Sequence, residues 1–271
     1  MRLIDQIAEL VATGRIAETS IDESVKRVLE AKFKMGVFEN PYVDPVFANT
    51  FVGNAQHQQL SLEAARQSMT LLKNDGLLPL KVGDQILVAG SRAGDMDSLT
   101  GGWTSKQDGT TIVEAIRQRV GSSGSVVYEA ENIERAIALA KESQVAVMVV
   151  GEPSYMHSPP WGADRLELTS SQQEMLVALK ETGIPVVVVV MMGRPYVLTW
   201  CAENTEAILS AYYPGSQGDK AIAEVLFGDF NPQGKLPVQL PRSMAQVLVQ
   251  RSDLPFDIED PLYDFGHGLS Y

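Results

Sequence analysis

The sequence predicts an α/β fold: a mainly parallel sheet sandwiched between helices on both faces, preceded by a helical hairpin. Three observations carry this expectation. Several short β-rich runs lack the apolar–polar alternation of a half-buried strand, as strands covered on both faces do. Helical patterns stand between or after those runs, which is the rhythm of parallel strands joined by crossover helices. Ahead of them, residues 3–36 carry two helical stripes and nothing that reads as a strand.

Taken in order, Leu3, Ile7, Leu10 and Val11 recur at helical spacing, and Gly14 closes the first helix. Ser20 then precedes "IDESVKRVLEAKFKMG" with Glu23 three residues on, a capping-box pattern, and Gly36 ends the second helix. This hairpin, residues 1–36, has too little apolar surface to fold alone and is expected to dock on something. "VFENPYVDPVFANT" reads as a linker over 37–56, kept extended by Pro41 and Pro45. The α/β layer sandwich is expected over 57–271. It opens with a helix over 57–74 and continues with strands at 85–90, 125–130, 145–151, 185–193 and 207–213. Helices are expected at "TTIVEAIRQRV", "NIERAIALAKES", "SSQQEMLVALKETG" and "GDKAIAEVLFG".

Composition narrows the partners. The 271 residues are 45% apolar and 21% charged, so a full core is affordable and gross disorder is not expected. A net charge of −12 argues against a nucleic-acid backbone or an anionic membrane, and favours a neutral or cationic ligand. The apolar run "IPVVVVVMMG" is too short to span a bilayer, and the acid-bearing amphipathic N-terminus does not read as a signal peptide. One cysteine, Cys201, excludes an internal disulfide and a cysteine-based metal cluster.

In sheets of this kind ligands sit beyond the carboxyl ends of the strands, so the loops after Gly90, Gly151 and Gly193 are the ones to read. The first, "SRAGDMDSLTGGWTSKQDGTT", has neither of the glycine patterns that cradle phosphates, which disfavours a nucleotide cofactor. It carries Trp103, whose indole is either a platform for the C–H face of a sugar ring or part of the loop's own core. The second presents Glu152, Tyr155, His157, Trp161, Asp164 and Arg165 on a backbone restricted by Pro153, Pro159 and Pro160. A lone histidine does not make a metal site, and Asp164 with Arg165 reads as a pair that pins the loop. Arg194, in the third loop, can face a ligand or bond strand-end carbonyls, and the second role is the expected one. "GSQG" is not a nucleophile elbow, and neither His57 nor His267, in "FGHGLSY", has an acid and a nucleophile beside it.

Stretches along nearly the whole chain resemble one family in its order. They are "GRIAETSIDESVKRVLEAKFKMGVFENPYVDP", "EAARQSMTLLKNDGLLPL", "AGSRAGDMDSLTGGWTSKQDGTT", "VVGEPSY", "GRPYVL", "YYPGSQGDKAIAEVLFGDFNPQGKLPVQLP" and "PLYDFGHGLSY". The resemblance is to the C-terminal part of family 3 glycoside hydrolases, the β-glucosidase and exo-β-glucanase group. It implies a two-domain retaining enzyme, in which a (β/α)8-like barrel supplies a nucleophilic aspartate and the α/β sandwich supplies the acid/base. Retaining glycosidases in general place two carboxyls about 5–5.5 Å apart. On this reading the hairpin is what remains of the barrel, and the nucleophile is absent.

The resemblance also marks site residues. Exo-glucanase-like members run Gly-Glu-x-Pro-Tyr-x-Glu, ending on the acid/base; here Gly151, Glu152 and Tyr155 match, and His157 stands at the last position. The catalytic candidates are therefore His157, which can shuttle a proton near neutral pH, and Glu152 by proximity. Trp103 matches the family's "GGWT", which borders the sugar cleft, and Tyr155, Asp164 and Arg165 complete the expected substrate-binding set. The expected ligand is a β-linked glucoside or oligosaccharide, with no metal or cofactor. The expected partner is a separate barrel chain, or a second copy, docking through residues 3–36. The alternative function is a non-catalytic glycan-binding or scaffold module.

Overall fold

The computed structural model describes residues 3–102, 109–152, 166–249 and 256–271. The chain forms two compact units, one ending at Asn54 and one running from Ala55 to Tyr271.

The first unit is helical. Helix α1 (Leu3–Ala12) and helix α2 (Glu18–Lys34) are joined by a turn in which Gly14, at φ +68°, donates its N–H to Val11 O at 2.9 Å. The expected capping box does not form. Helix α2 starts at Glu18, with Ala17 as a cap lacking a side-chain bond, so Ser20 and Glu23 lie inside its first turns. Interior position leaves the Ser20 carbonyl to the ladder, where it also accepts from Ser24 Oγ at 3.1 Å. Residues 37–56 are not wholly extended either. Asp44 accepts from the Val46 N–H at 2.8 Å and starts helix α3 (Pro45–Phe51). Pro45 is at the first helical position, where a missing N–H costs nothing.

The second unit contains a six-stranded sheet in the order β1-β6-β5-β4-β2-β3. Strands β2 (Gln85–Ala89), β3 (Ser125–Glu129), β4 (Val145–Gly151), β5 (Val186–Met191) and β6 (Ala207–Ser210) pair in parallel. Strand β1 (Thr70–Asn74) joins β6 antiparallel, with a register shift between Leu71 and Lys73. It occupies the end of the stretch read as one helix over 57–74; helix α4 (Ala55–Ser68) stops before it. The apolar spacing of Leu62, Ala65 and Met69 runs into Leu71 and Leu72 without a break, and pairing with β6 decides the change of conformation.

Two apolar layers bury the sheet. One packs Val187, Val189, Val147 and Val149 against α4, α6 (Ile112–Val120) and α10 (Gly218–Leu226). The other packs Val186, Val188, Val190, Ala146 and Met148 against α7 (Ile133–Ala140), α8 (Ser170–Glu181) and α9 (Thr199–Asn204). Alternate valines of "VVVVV" thus serve opposite layers, and all of them are fully buried. That is why the run shows no polar alternation. Within the first layer, Arg66 fastens α4 to α10 through a fork to Glu224 at 2.6 and 2.7 Å.

Candidate functional site

The strand order defines a crevice. From β2 the chain passes to β3 on one side, then crosses to β4 on the other, so the topology reverses between β2 and β4. Outside the carboxyl ends of such a pair, the loops leave in opposite directions and open a ligand site. Here those ends are Gly90 and Gly151. A Cβ on Gly90 (φ +94°) would stand 2.3 Å from Val149 O, and one on Gly151 (φ +129°) 1.9 Å from Met191 O. Only glycine allows the backbones to close this far while turning outward. Gln172, in the first turn of α8, clamps Gly151 by donating Nε2–H to its carbonyl at 2.9 Å.

Glu152 is the next residue, 1% exposed. Its N–H donates to Met191 O at 3.1 Å. Its Oε1 accepts the Gly193 N–H at 2.7 Å, while Oε2 accepts Arg194 Nε–H at 2.9 Å and lies 2.8 Å from Nη2. The Tyr196 hydroxyl stands 3.5 Å from the same oxygen. Burial opposes the charge on Arg194, but hydrogen bonding and attraction to Glu152 outweigh it and hold the guanidinium above its usual range. Burial, and then the Glu152 charge, push Tyr196 up to about 12, so the phenol stays neutral. Arg194 therefore bonds the carboxylate at the end of the neighbouring strand. The two adjacent parallel strands are tied together at their carboxyl ends.

Across the crevice, the loop after β2 begins with a tight helical turn, Ser91–Gly94, and α5 (Asp97–Thr100). Asp95 Oδ2 accepts from Ser98 Oγ at 2.7 Å and from Arg92 Nη1 at 3.1 Å. Leu99 is fully buried, and its carbonyl accepts the Gly215 N–H at 2.8 Å. Thr110 Oγ1 donates to the buried carboxylate of Asp219, on the first turn of α10. Burial raises that carboxyl above its ordinary value, against the lowering effect of the Thr110 bond. The next residue, Thr111, forms a true capping box with Glu114. Leu99 and Thr110 are therefore both anchored to the β6–α10 side of the sheet.

Of the predicted site residues, Glu152 lies at the crevice. Trp103, Tyr155, His157, Asp164 and Arg165 lie outside the described residues. Gln172, Tyr196, Thr110, Asp219 and Gly215 were missed in the sequence. The one signal for Tyr196 was its place two residues after Arg194 in "GRPY". Elsewhere, His267 stacks on Tyr263 with ring centroids 4.7 Å apart and its Nε2 is 2.9 Å from Leu72 O. Cys201 is buried, which pushes its thiol up to about 12 and leaves it unreactive. No group of three metal-ligating side chains occurs among the described residues. No described helix is long and apolar enough to cross a membrane.

This architecture, with its glycine-closed crevice, can be set beside known proteins. The model of the glycosyl hydrolase family 3 C-terminal domain matches residues 69–271. The chain belongs to this family. A periplasmic β-glucosidase of Salmonella typhimurium is 32% identical, aligned over 97% of this chain and 42% of its own length. A solved β-glucosidase from Erythrobacter marinus superposes with a TM-score of 0.79 at 32% identity, over 97% of this chain and 42% of that one. A β-glucosidase from Listeria innocua in complex with laminaribiose gives 0.81 at 25% identity, over 97% of this chain and 40% of that one. The chain thus spans about two fifths of the length of these relatives. As a family 3 C-terminal domain, it places its crevice-forming glycines and the Glu152–Arg194 pair within the matched residues.

Proposed function

We propose that this chain is the sugar-facing α/β part of a β-glucosidase-type hydrolase, acting on the O-glycosyl bond of a β-linked glucoside or oligosaccharide. The observation that supports it is the crevice at the β2/β4 switch point, in a family whose solved relative carries laminaribiose. Alone, the chain does not turn over glycosides. Retention requires a nucleophile and an acid/base flanking one bond. Three described carboxyls around the crevice are already engaged: Glu152 by Arg194, Asp95 by Ser98 and Arg92, Asp219 by Thr110.

In this reading His157 is the acid/base candidate. As an imidazolium it gives its proton to the departing glycosidic oxygen, and as a neutral ring it then takes one from water. Trp103 and Tyr155 form the apolar ledge for the sugar ring, while Asp164 and Arg165 hold the loop. The nucleophile comes from a separate barrel chain or domain that docks on residues 3–36. Leu3, Ile4, Val28 and Phe33 on α1 and α2 are exposed there, and neither helix buries a single residue. A second copy would cover the same side chains as self-association.

Hydrolysis of an aryl β-glucoside is the test. The isolated chain should show none, and addition of a barrel polypeptide ending in a nucleophilic aspartate motif should restore it, with loss in His157→Ala. Turnover by the isolated chain sinks the reading. The engagement of Glu152 by Arg194 favours a second reading, a non-catalytic glycan-binding module. Laminaribiose binding by the chain, with no turnover in the presence of any barrel partner, would select it.

A further inference from the structure

The sheet has an open edge at β1, and the chain's own C-terminal segment lies on it. Leu269 N–H donates to Leu71 O at 2.8 Å in an antiparallel bridge, and the His267 ring reaches Leu72 O. Gly234 N–H donates to Met69 O at 3.1 Å on the same edge. The segment is also pinned from behind. Leu236 N–H donates to His267 O and Gly266 N–H to Leu236 O, each at 2.9 Å. Lys235 Nζ donates to Gly268 O at 2.6 Å, and the Tyr271 N–H to Asn231 Oδ1 at 2.8 Å. The Tyr271 hydroxyl donates to Val225 O.

Two glycines make this approach possible. A Cβ on Gly268 would stand 2.2 Å from Gly234 O, and a Cβ on Gly234 would stand 2.5 Å from Met69 O. Three stretches of backbone are thus stacked with no side chain between them. The segment is not core: Leu269 and Tyr271 are 39% and 41% exposed. Three of its bonds join main chain to main chain, and the one from Leu269 to β1 is of the kind an added strand makes with a sheet edge. An edge left bare is a template for unwanted pairing.

We propose that the outer edge of β1 is a strand-binding groove, and that residues 265–271, "FGHGLSY", are its ligand within the same molecule. The segment is a strap, separable from the core, whose fit depends on the glycine at 268.

The test uses the full chain carrying Gly268→Ala and a labelled synthetic peptide of residues 265–271. A methyl at 268 forces the strap away from Gly234, and each main-chain bond lost is worth roughly a factor of five to ten in affinity. The Leu269 amide should therefore exchange at least about tenfold faster than in the wild type. The freed edge should bind the peptide, while wild type does not, and the peptide bearing alanine at the same position should bind at least about tenfold more weakly. A chain ending at Asp264 should bind the peptide one to one. If that shortened chain does not fold, exchange and peptide binding in Gly268→Ala decide alone. Unchanged Leu269 exchange in the variant, or peptide binding to wild type as tight as to the variant, overturns the proposal.

Discussion

Arg194→Met tests whether the buried tie between β4 and β5 stabilises the domain. It removes guanidinium contacts of 2.9 and 2.8 Å from Glu152 Oε2 and leaves the Gly193 N–H on Oε1 at 2.7 Å. An exposed ion pair would be worth no more than about 1 kcal/mol. This one is not exposed: the glutamate side chain is 0% accessible and the arginine 15%. Breaking a buried pair costs about 3–5 kcal/mol, because the surviving charge loses its counter-charge where water cannot replace it. The slight opening on the arginine side lets water reach that end, so the lower figure, about 3 kcal/mol, is expected. For a domain of this size that lowers the melting midpoint by roughly 6–12 °C. Glu152→Gln with Arg194→Met removes both charges and keeps an acceptor for Gly193. It should recover most of the loss, giving a coupling energy of about 2 kcal/mol. Scanning calorimetry on wild type, both single variants and the double variant measures this. A single-variant fall under roughly 2 °C, or a double variant less stable than Arg194→Met, refutes the reasoning.

Two further outcomes follow from other positions around the sheet. Gly151→Ala places a methyl 1.9 Å from Met191 O and should cost more than about 4 kcal/mol, since β5 must move. Gly183→Ala, at φ +81° with nothing within 4 Å, should cost only the left-handed strain of about 1–2 kcal/mol; equal urea midpoints for the two would rule out the close approach. Asp219→Asn tests linkage. Its folded-state value is raised, so its stabilising contribution is full below the unfolded value of about 3.9 and is lost as pH rises through the higher folded value. The variant should lack that decline while keeping the Thr110 bond; parallel stability–pH profiles for variant and wild type would contradict it.

The legible parts of the fold were those set by local composition. "VAVMVVG" and "PVVVVVMMG" announced strands buried on both faces because no polar residue interrupts them. Gly90, Gly151 and Gly193 marked where those strands end. Strand β1 was illegible because its leucines extend the stripe of α4, and only pairing with β6 distinguishes the two conformations. The Ser20–Glu23 pattern misled for a related reason: helix α2 propagates past it to Glu18, and an interior serine cannot cap. At the site, Glu152 was found from its place after a strand. Its partnership with Arg194 was not, since 42 residues separate them and adjacency arises only when β4 and β5 lie in register.

By itself the sequence determined the class of fold, the loops that border the crevice and the absence of phosphate-cradling glycine motifs, because each depends on short-range pattern and residue chemistry. Tertiary structure decided which strand closes the sheet, where the topology reverses, and that Glu152 is an ion-paired tie between strand ends. Those outcomes depend on which distant segments share a low-dielectric interior, and burial turns an ordinary glutamate and arginine into a pair whose separation the protein pays for.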